Sequence, residues 1–143
     1  MNSISEKIDF DSPIFIVGFP RSGTTLLQTM ISTQKNICSF PETHFFSTLD
    51  QYDRMSIKET EIFFSDLENK IKIEIPISIK TKFLAISENN IMRKKLLFEE
   101  IVKLLLSLQS DKSNYNRIRW VEKSPEHIFH LSTIKEFYPN AKV

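Results

Sequence analysis

Only two glycines occur in the 143-residue chain, and both fall in one six-residue stretch, Gly18-Phe-Pro-Arg-Ser-Gly23. Just before them, Ile14-Phe-Ile-Val17 is a continuous apolar run rich in β-branched residues, the pattern of a strand covered on both faces in a parallel sheet. Just after them, Leu26, Leu27, Met30 and Ile31 recur at helical spacing. Strand, glycine loop and helix in that order turn successive backbone N–H groups, and the positive end of a helix, toward one point. That point is suited to an anion.

The spacing Gly18-x4-Gly23-Thr24-Thr25 reproduces the nucleotide-binding P-loop frame, with threonine where its lysine belongs. Arg21 returns the missing positive charge from inside the loop, and its planar fork matches two phosphate or sulfate oxygens at once. Thr24 and Thr25 add hydroxyl donors at the first helical turn. Two glycines alone would also suit a plain strand-to-helix turn that needs positive φ. The strand before, the proline and arginine within and the threonines after favour a phosphate loop.

Lysine plus arginine number 19 against 18 aspartates plus glutamates, so no broad field draws the chain to nucleic acid or to a membrane surface. Any anion site is therefore local. The single cysteine, Cys38, cannot close an internal disulfide, and no Cys/His spacing suits a structural zinc site. A reducing, cytoplasmic setting is expected, with no metal. Charges interrupt every apolar run well before membrane-spanning length.

Residues 1–12 are polar and aperiodic, an expected loosely ordered lead-in, and one domain over 13–143 follows. Ile37-Cys-Ser-Phe40 predicts a short strand, Phe45, Phe46 and Leu49 a helical turn or two, and residues 57 to 69 a helix. Ile71, Ile73, Ile75, Ile77 and Ile79 alternate with polar residues and Pro76, which predicts an edge strand. Residues 91 to 109 predict a helix with Leu97, Ile101, Leu104, Leu105 and Leu108 on one stripe. Ile118 to Glu122 reads as another strand. Ser124-Pro125 predicts the cap and first turn of a helix running through Tyr138, with Ala141-Lys142-Val143 opening a further strand. The fold class is thus α/β, a parallel sheet flanked by helices.

Pro20-Arg-Ser-Gly-Thr-Thr-Leu26 resembles the 5′-phosphosulfate loop of sulfotransferases that use 3′-phosphoadenosine 5′-phosphosulfate (PAPS), in an arginine variant similar to that of protein-tyrosine sulfotransferases and many bacterial relatives. The resemblance continues through Pro41-Glu-Thr43, Trp120-Val-Glu-Lys-Ser-Pro125 and Phe137-Tyr-Pro-Asn-Ala-Lys-Val143, while residues 50 to 115 carry none of it. It implies that Arg21, Ser22, Gly23, Thr24 and Thr25 bind the donor's 5′-phosphosulfate, that Glu42 activates the acceptor, and that Lys123 contacts the transferring group. It also implies an amino-terminal part of a P-loop-type sheet, truncated at its carboxyl end, with the 3′-phosphate contacts beyond Val143. Such a piece is expected to be catalytically silent, a weak donor binder, and prone to self-association through an incomplete sheet.

Sulfuryl transfer to a hydroxyl or amine, on a small molecule or a peptide, needs in-line alignment, cations on the departing phosphate and a base within hydrogen-bond reach of the acceptor. On the residues alone, Glu42 is equally a helix-start acid and Lys123 a solvated lysine before a Ser-Pro turn. His44 is an alternative base, and His127 and His130 lack a third ligand for a metal. Trp120, Phe45 and Phe46 read as core. The rival readings are a P-loop kinase, disfavoured by Thr24 and by the Glu-Lys ending of the 118–122 strand, and a non-catalytic remnant.

Overall fold

The computed structural model describes residues 4–52, 57–84, 91–109 and 116–143. β1 (Ile14–Ile16), β2 (Ile37–Ser39) and β3 (Arg119–Lys123) form one parallel sheet in the order β1-β3-β2. The crossover from β1 to β2 through α1 (Thr24–Ser32) leaves a gap that the much later β3 fills. Phe15 pairs with Glu122, Ile16 with Lys123 and Cys38 with Trp120. Side chains alternate along a strand, so Phe15, Cys38, Trp120 and Glu122 share one face and Ile16, Val121 and Lys123 the other.

The first face builds the core. Phe15, Trp120, Phe45, Phe46, Phe98 and Tyr138 are all 0–1% exposed, and their rings meet at centroid distances of 5.5 Å (Phe15–Trp120), 5.9 Å (Phe98–Trp120) and 4.9 Å (Phe45–Phe98). That spacing suits tilted and edge-on aromatic contacts. α2 (Phe45–Asp50) delivers two of these rings. α5 (Ile91–Ser107) delivers Phe98 and buries Leu97, Ile101, Val102, Leu105 and Leu106 beside it. Of the stripe predicted for α5, Leu104 is half-buried. Leu108 is exposed because the helix ends one residue earlier.

The strand predicted over the alternating isoleucines does not form. α3 (Ile57–Ile71) ends at the first of them, and α4 (Ile77–Leu84) begins just after Pro76. Lys72 takes a left-handed φ of 60° to leave α3. The Pro76 carbonyl then accepts the amides of Ile79 and Lys80, the opening bonds of α4. Glu68 secures the turn, accepting the Ile75 amide at 2.8 Å and pairing with Lys80 at 2.6 Å. Ile71 and Ile75 are buried whereas Ile77 is 76% exposed: burial here follows a helix–turn–helix, not a pleat.

The helix predicted after Ser124-Pro125 is also altered. Pro125–His130 is a 3₁₀ turn, α6 covers only Leu131–Phe137, and the Ser124 side chain makes no cap bond. The end of the lead-in is tied down. Ile8 bridges to Ile118, the Ile118 amide donates to the Lys7 carbonyl and the Asp9 amide to Ile118, both at 2.7 Å. Beyond β1, Ile14 bridges in parallel to Lys142, where a further strand was predicted to open. α1 buries none of its residues, leaving Leu26 and Met30 66% and 60% exposed.

Candidate active site

The loop after β1 is shaped by its own turn. The Ser22 amide and hydroxyl both donate to the Phe19 carbonyl, at 3.2 and 2.5 Å. Arg21 and Gly23 then take left-handed φ values of 63° and 84°, and Gly23 becomes the N-cap of α1. Only glycine holds such a conformation without cost, so Arg21 is kept there by the turn around it. A Cβ on Gly18 would stand 3.1 Å from the Ser22 hydroxyl. The Gly18 amide donates to the Pro125 carbonyl at 3.1 Å, which pins the loop to the chain leaving β3. The cap residue has no side chain, and the Leu27 amide is bonded to Gly23 O. The amides of Thr24, Thr25 and Leu26 thus precede any helical carbonyl they could reach.

β3 ends beside this loop. Lys123 lies on the α1 side of the sheet, 6% exposed. Its ammonium donates to Thr25 Oγ1 at 3.2 Å and is paired with Glu42 Oε1. Glu42 Oε2 lies 3.3 Å from His44 Nε2, and His44 Nδ1 contacts Glu126 Oε1. A cleft of about 390 Å³ is walled by Arg21, Thr24, Thr25, Glu42, Lys123 and Glu126, among others. The first five of these are residues singled out from the sequence, and one cleft brings them together. Ser22 and Gly23 contribute the turn and the helix start instead of wall. A second cavity of about 380 Å³, between α4 and α5, is mainly apolar and shares none of these residues.

Opposite Lys123, on the core side, Glu122 is fully buried. Its Oε1 accepts the hydroxyls of Thr43 (2.8 Å) and Ser124 (2.5 Å), and its Oε2 meets His127 Nδ1 at 3.0 Å. His127 Nε2 accepts the Phe46 amide at 3.2 Å, so Nδ1 carries the hydrogen given to Glu122. Burial alone would push the Glu122 carboxyl up; His127 and the two hydroxyls outweigh it and hold the carboxyl below its ordinary value. Ser124 Oγ also accepts the His44 amide at 3.1 Å. The network therefore fixes residues 43–46, and with them the position of Glu42. The two histidines for which packing or surface roles were expected behave so: His127 is core, and His130 meets Asp50 at 3.3 Å.

Sequence reasoning missed Glu126 and Glu122. Neither has a local signal: Glu126 reaches His44 only because a 3₁₀ turn follows β3, and Glu122 looked like an ordinary strand residue. Burial pushes the Glu126 carboxyl up, but its own backbone amide and His44 outweigh that and leave it below its ordinary value. Glu42, His44 and Glu126 bring one ligand atom each to within 4.8 Å of one another. A divalent ion would have to share Glu42 with the Lys123 ammonium, which already supplies positive charge there, and each ring nitrogen of His44 already faces a carboxylate.

No helix among the described residues is long and apolar enough to cross a membrane. No curated protein gives a significant match. The family model described as the sulfotransferase family matches residues 13–143, which spans the loop, Glu42 and the β3 end alike, and the chain belongs to that family.

Proposed function

We propose that the protein transfers a sulfuryl group from PAPS to a hydroxyl or amine of a small-molecule or peptide acceptor. The observation that carries this reading is the position of Lys123, whose one ammonium touches Thr25 of the loop and Glu42 across the cleft. A phosphosulfate seated on the loop amides, the Thr24 and Thr25 hydroxyls and the Arg21 fork brings its sulfur to that ammonium. The anionic donor then competes with Glu42 for Lys123, and the carboxylate is released to face the acceptor.

Catalysis on this reading is alignment plus charge. Arg21, Lys123 and the helix-start amides neutralise the phosphate as it departs. Glu42 removes the acceptor proton. The reading uses no metal. A P-loop kinase would need a carboxylate free for magnesium at the end of the third strand, and Glu122 is buried in its own network. A single buried cysteine supports a cytoplasmic setting.

Retention on immobilised adenosine 3′,5′-bisphosphate, compared with ATP-magnesium, tests the donor class. Retention on the bisphosphate alone is expected. Preferential retention on ATP-magnesium would return the protein to the kinase reading.

A further inference from the structure

His44 is held between two carboxylates by an over-determined backbone. It adopts a left-handed φ of 51°, a conformation costly for a side chain with a Cβ. Its amide donates to Ser124 Oγ, and its carbonyl accepts the hydroxyls of Ser47 (3.0 Å) and Thr48 (2.7 Å) as well as the Thr48 amide (2.9 Å). These bonds lock the residue at the start of α2. The ring then lies with Nε2 facing Glu42 Oε2 at 3.3 Å and Nδ1 against Glu126 Oε1. Ser47 Oγ lies 3.4 Å from the same Glu126 oxygen.

A neutral imidazole has one N–H but here meets two carboxylate oxygens. In the neutral form, therefore, one of the two contacts lacks its proton, and the ring can take up one more. Sulfuryl transfer to a hydroxyl releases one proton.

We propose that His44, positioned by Glu126, takes from Glu42 the proton that sulfuryl transfer releases, and so restores Glu42 as a base for each turnover. This rests on the proposed sulfotransfer reading and adds to it a route for the proton. The acceptor oxygen forms a bond to sulfur, and the bond from sulfur to the bridging oxygen breaks with its electron pair going to the departing phosphate. The hydroxyl proton passes to Glu42 and across the gap to Nε2. The resulting imidazolium, flanked by Glu42 and Glu126, gives the proton to water as the product leaves. Neither His44 nor Glu126 touches the reacting atoms; Glu126 is a positioning residue, fixing Nδ1 as the protonated nitrogen so that Nε2 stays open to Glu42.

Two readouts test this, one of them independent of turnover. Long-range proton–nitrogen NMR of the donor-free protein reports which ring nitrogen of His44 carries hydrogen. Nδ1–H is expected in the wild type, with that preference lost in Glu126→Gln. A ring that carries hydrogen at Nε2, alone or together with Nδ1, would overturn the proposal, because that nitrogen could then receive nothing from Glu42. In the catalytically active protein, Glu126→Gln should lower kcat on the order of tenfold, and His44→Gly on the order of 10²-fold with partial rescue by added imidazole, within the range of positioned proton transfer. Donor KM should be unchanged in both, and glycine tolerates the left-handed backbone at position 44. Unchanged kcat in both variants, or loss of wild-type activity on chelation, which would mean the three side chains hold a metal ion, would overturn the relay. Nucleotide binding separates the two ideas: preference for adenosine 3′,5′-bisphosphate with the wrong tautomer sinks the relay alone, whereas preference for ATP-magnesium sinks the sulfotransfer reading.

Discussion

Glu122 and Lys123 are sequence neighbours whose side chains leave β3 on opposite faces of the sheet. Glu122 is enclosed by Thr43, Ser124 and His127, while the Lys123 ammonium reaches Thr25 and Glu42 in the cleft. The alternation of a single strand thus delivers a buried anion to one side of the sheet and a cleft-lining cation to the other. Both act on the same loop: Glu122 holds Thr43, and Lys123 holds Glu42 one residue before it.

Removing Glu122 should therefore be costly to the fold. Glu122→Ala strands His127 and two hydroxyls, and a loss of about 3–5 kcal/mol is expected in denaturant unfolding. The pH dependence has a defined sign. The carboxyl sits below its ordinary value of 4.5 in the folded protein, so the stability it contributes is complete above that pH and is lost as pH falls through the lower folded value. Glu122→Gln should flatten this acid limb. An unchanged limb in unfolding curves taken from neutral pH downward would contradict the assignment.

Arg21 trades backbone comfort for charge. Arg21→Ala should weaken donor binding by on the order of 1.5–3 kcal/mol, one charge-assisted contact, with Arg21→Lys less damaging. Arg21→Gly should bind donor as poorly yet fold at least as stably, because glycine accepts the φ of 63° freely. Thermal unfolding beside donor titration checks the pair, and a destabilised Arg21→Gly would show that the side chain also supports the loop.

Glu42→Gln separates binding from chemistry. In a catalytically active form of the protein, donor affinity should be nearly intact, since the loop and Lys123 remain, while turnover falls by about 10²- to 10⁴-fold, the contribution of a positioned base. Near-normal turnover in steady-state assays would leave Glu42 as no more than the resting partner of Lys123.

The loop was legible in the sequence because its determinants are local: two glycines, an arginine and two threonines fix it within eight residues. The sheet and α5 were legible for the same reason, since period and β-branching report burial directly. The alternating isoleucines misled because a helix end, a turn and a helix start can mimic period two over nine residues, and Glu68, which settles the turn, lies outside that window. Glu126 and the Glu122 network were invisible since each joins residues far apart in sequence, such as Thr43 to Glu122. Such pairings are set by strand register, which no single segment encodes.

α1 presents Leu26, Leu27 and Met30 to solvent, an apolar surface larger than a lone exposed residue. We expect concentration-dependent self-association of this chain, reduced in a Leu26→Lys, Met30→Lys double variant. Size-exclusion chromatography with light scattering reads this directly. A monomer at every concentration would show that these side chains need no cover.

The central claim is that the loop and the β3 end form one phosphosulfate site. Isothermal titration calorimetry with PAPS, on the wild type, Arg21→Ala and Lys123→Ala, measures it most directly. The expected result is binding in the wild type that weakens by about tenfold or more in each variant, one lost charge-assisted contact apiece, with no competition from ATP-magnesium. Equal affinity in all three proteins, or displacement of PAPS by ATP-magnesium, would contradict it.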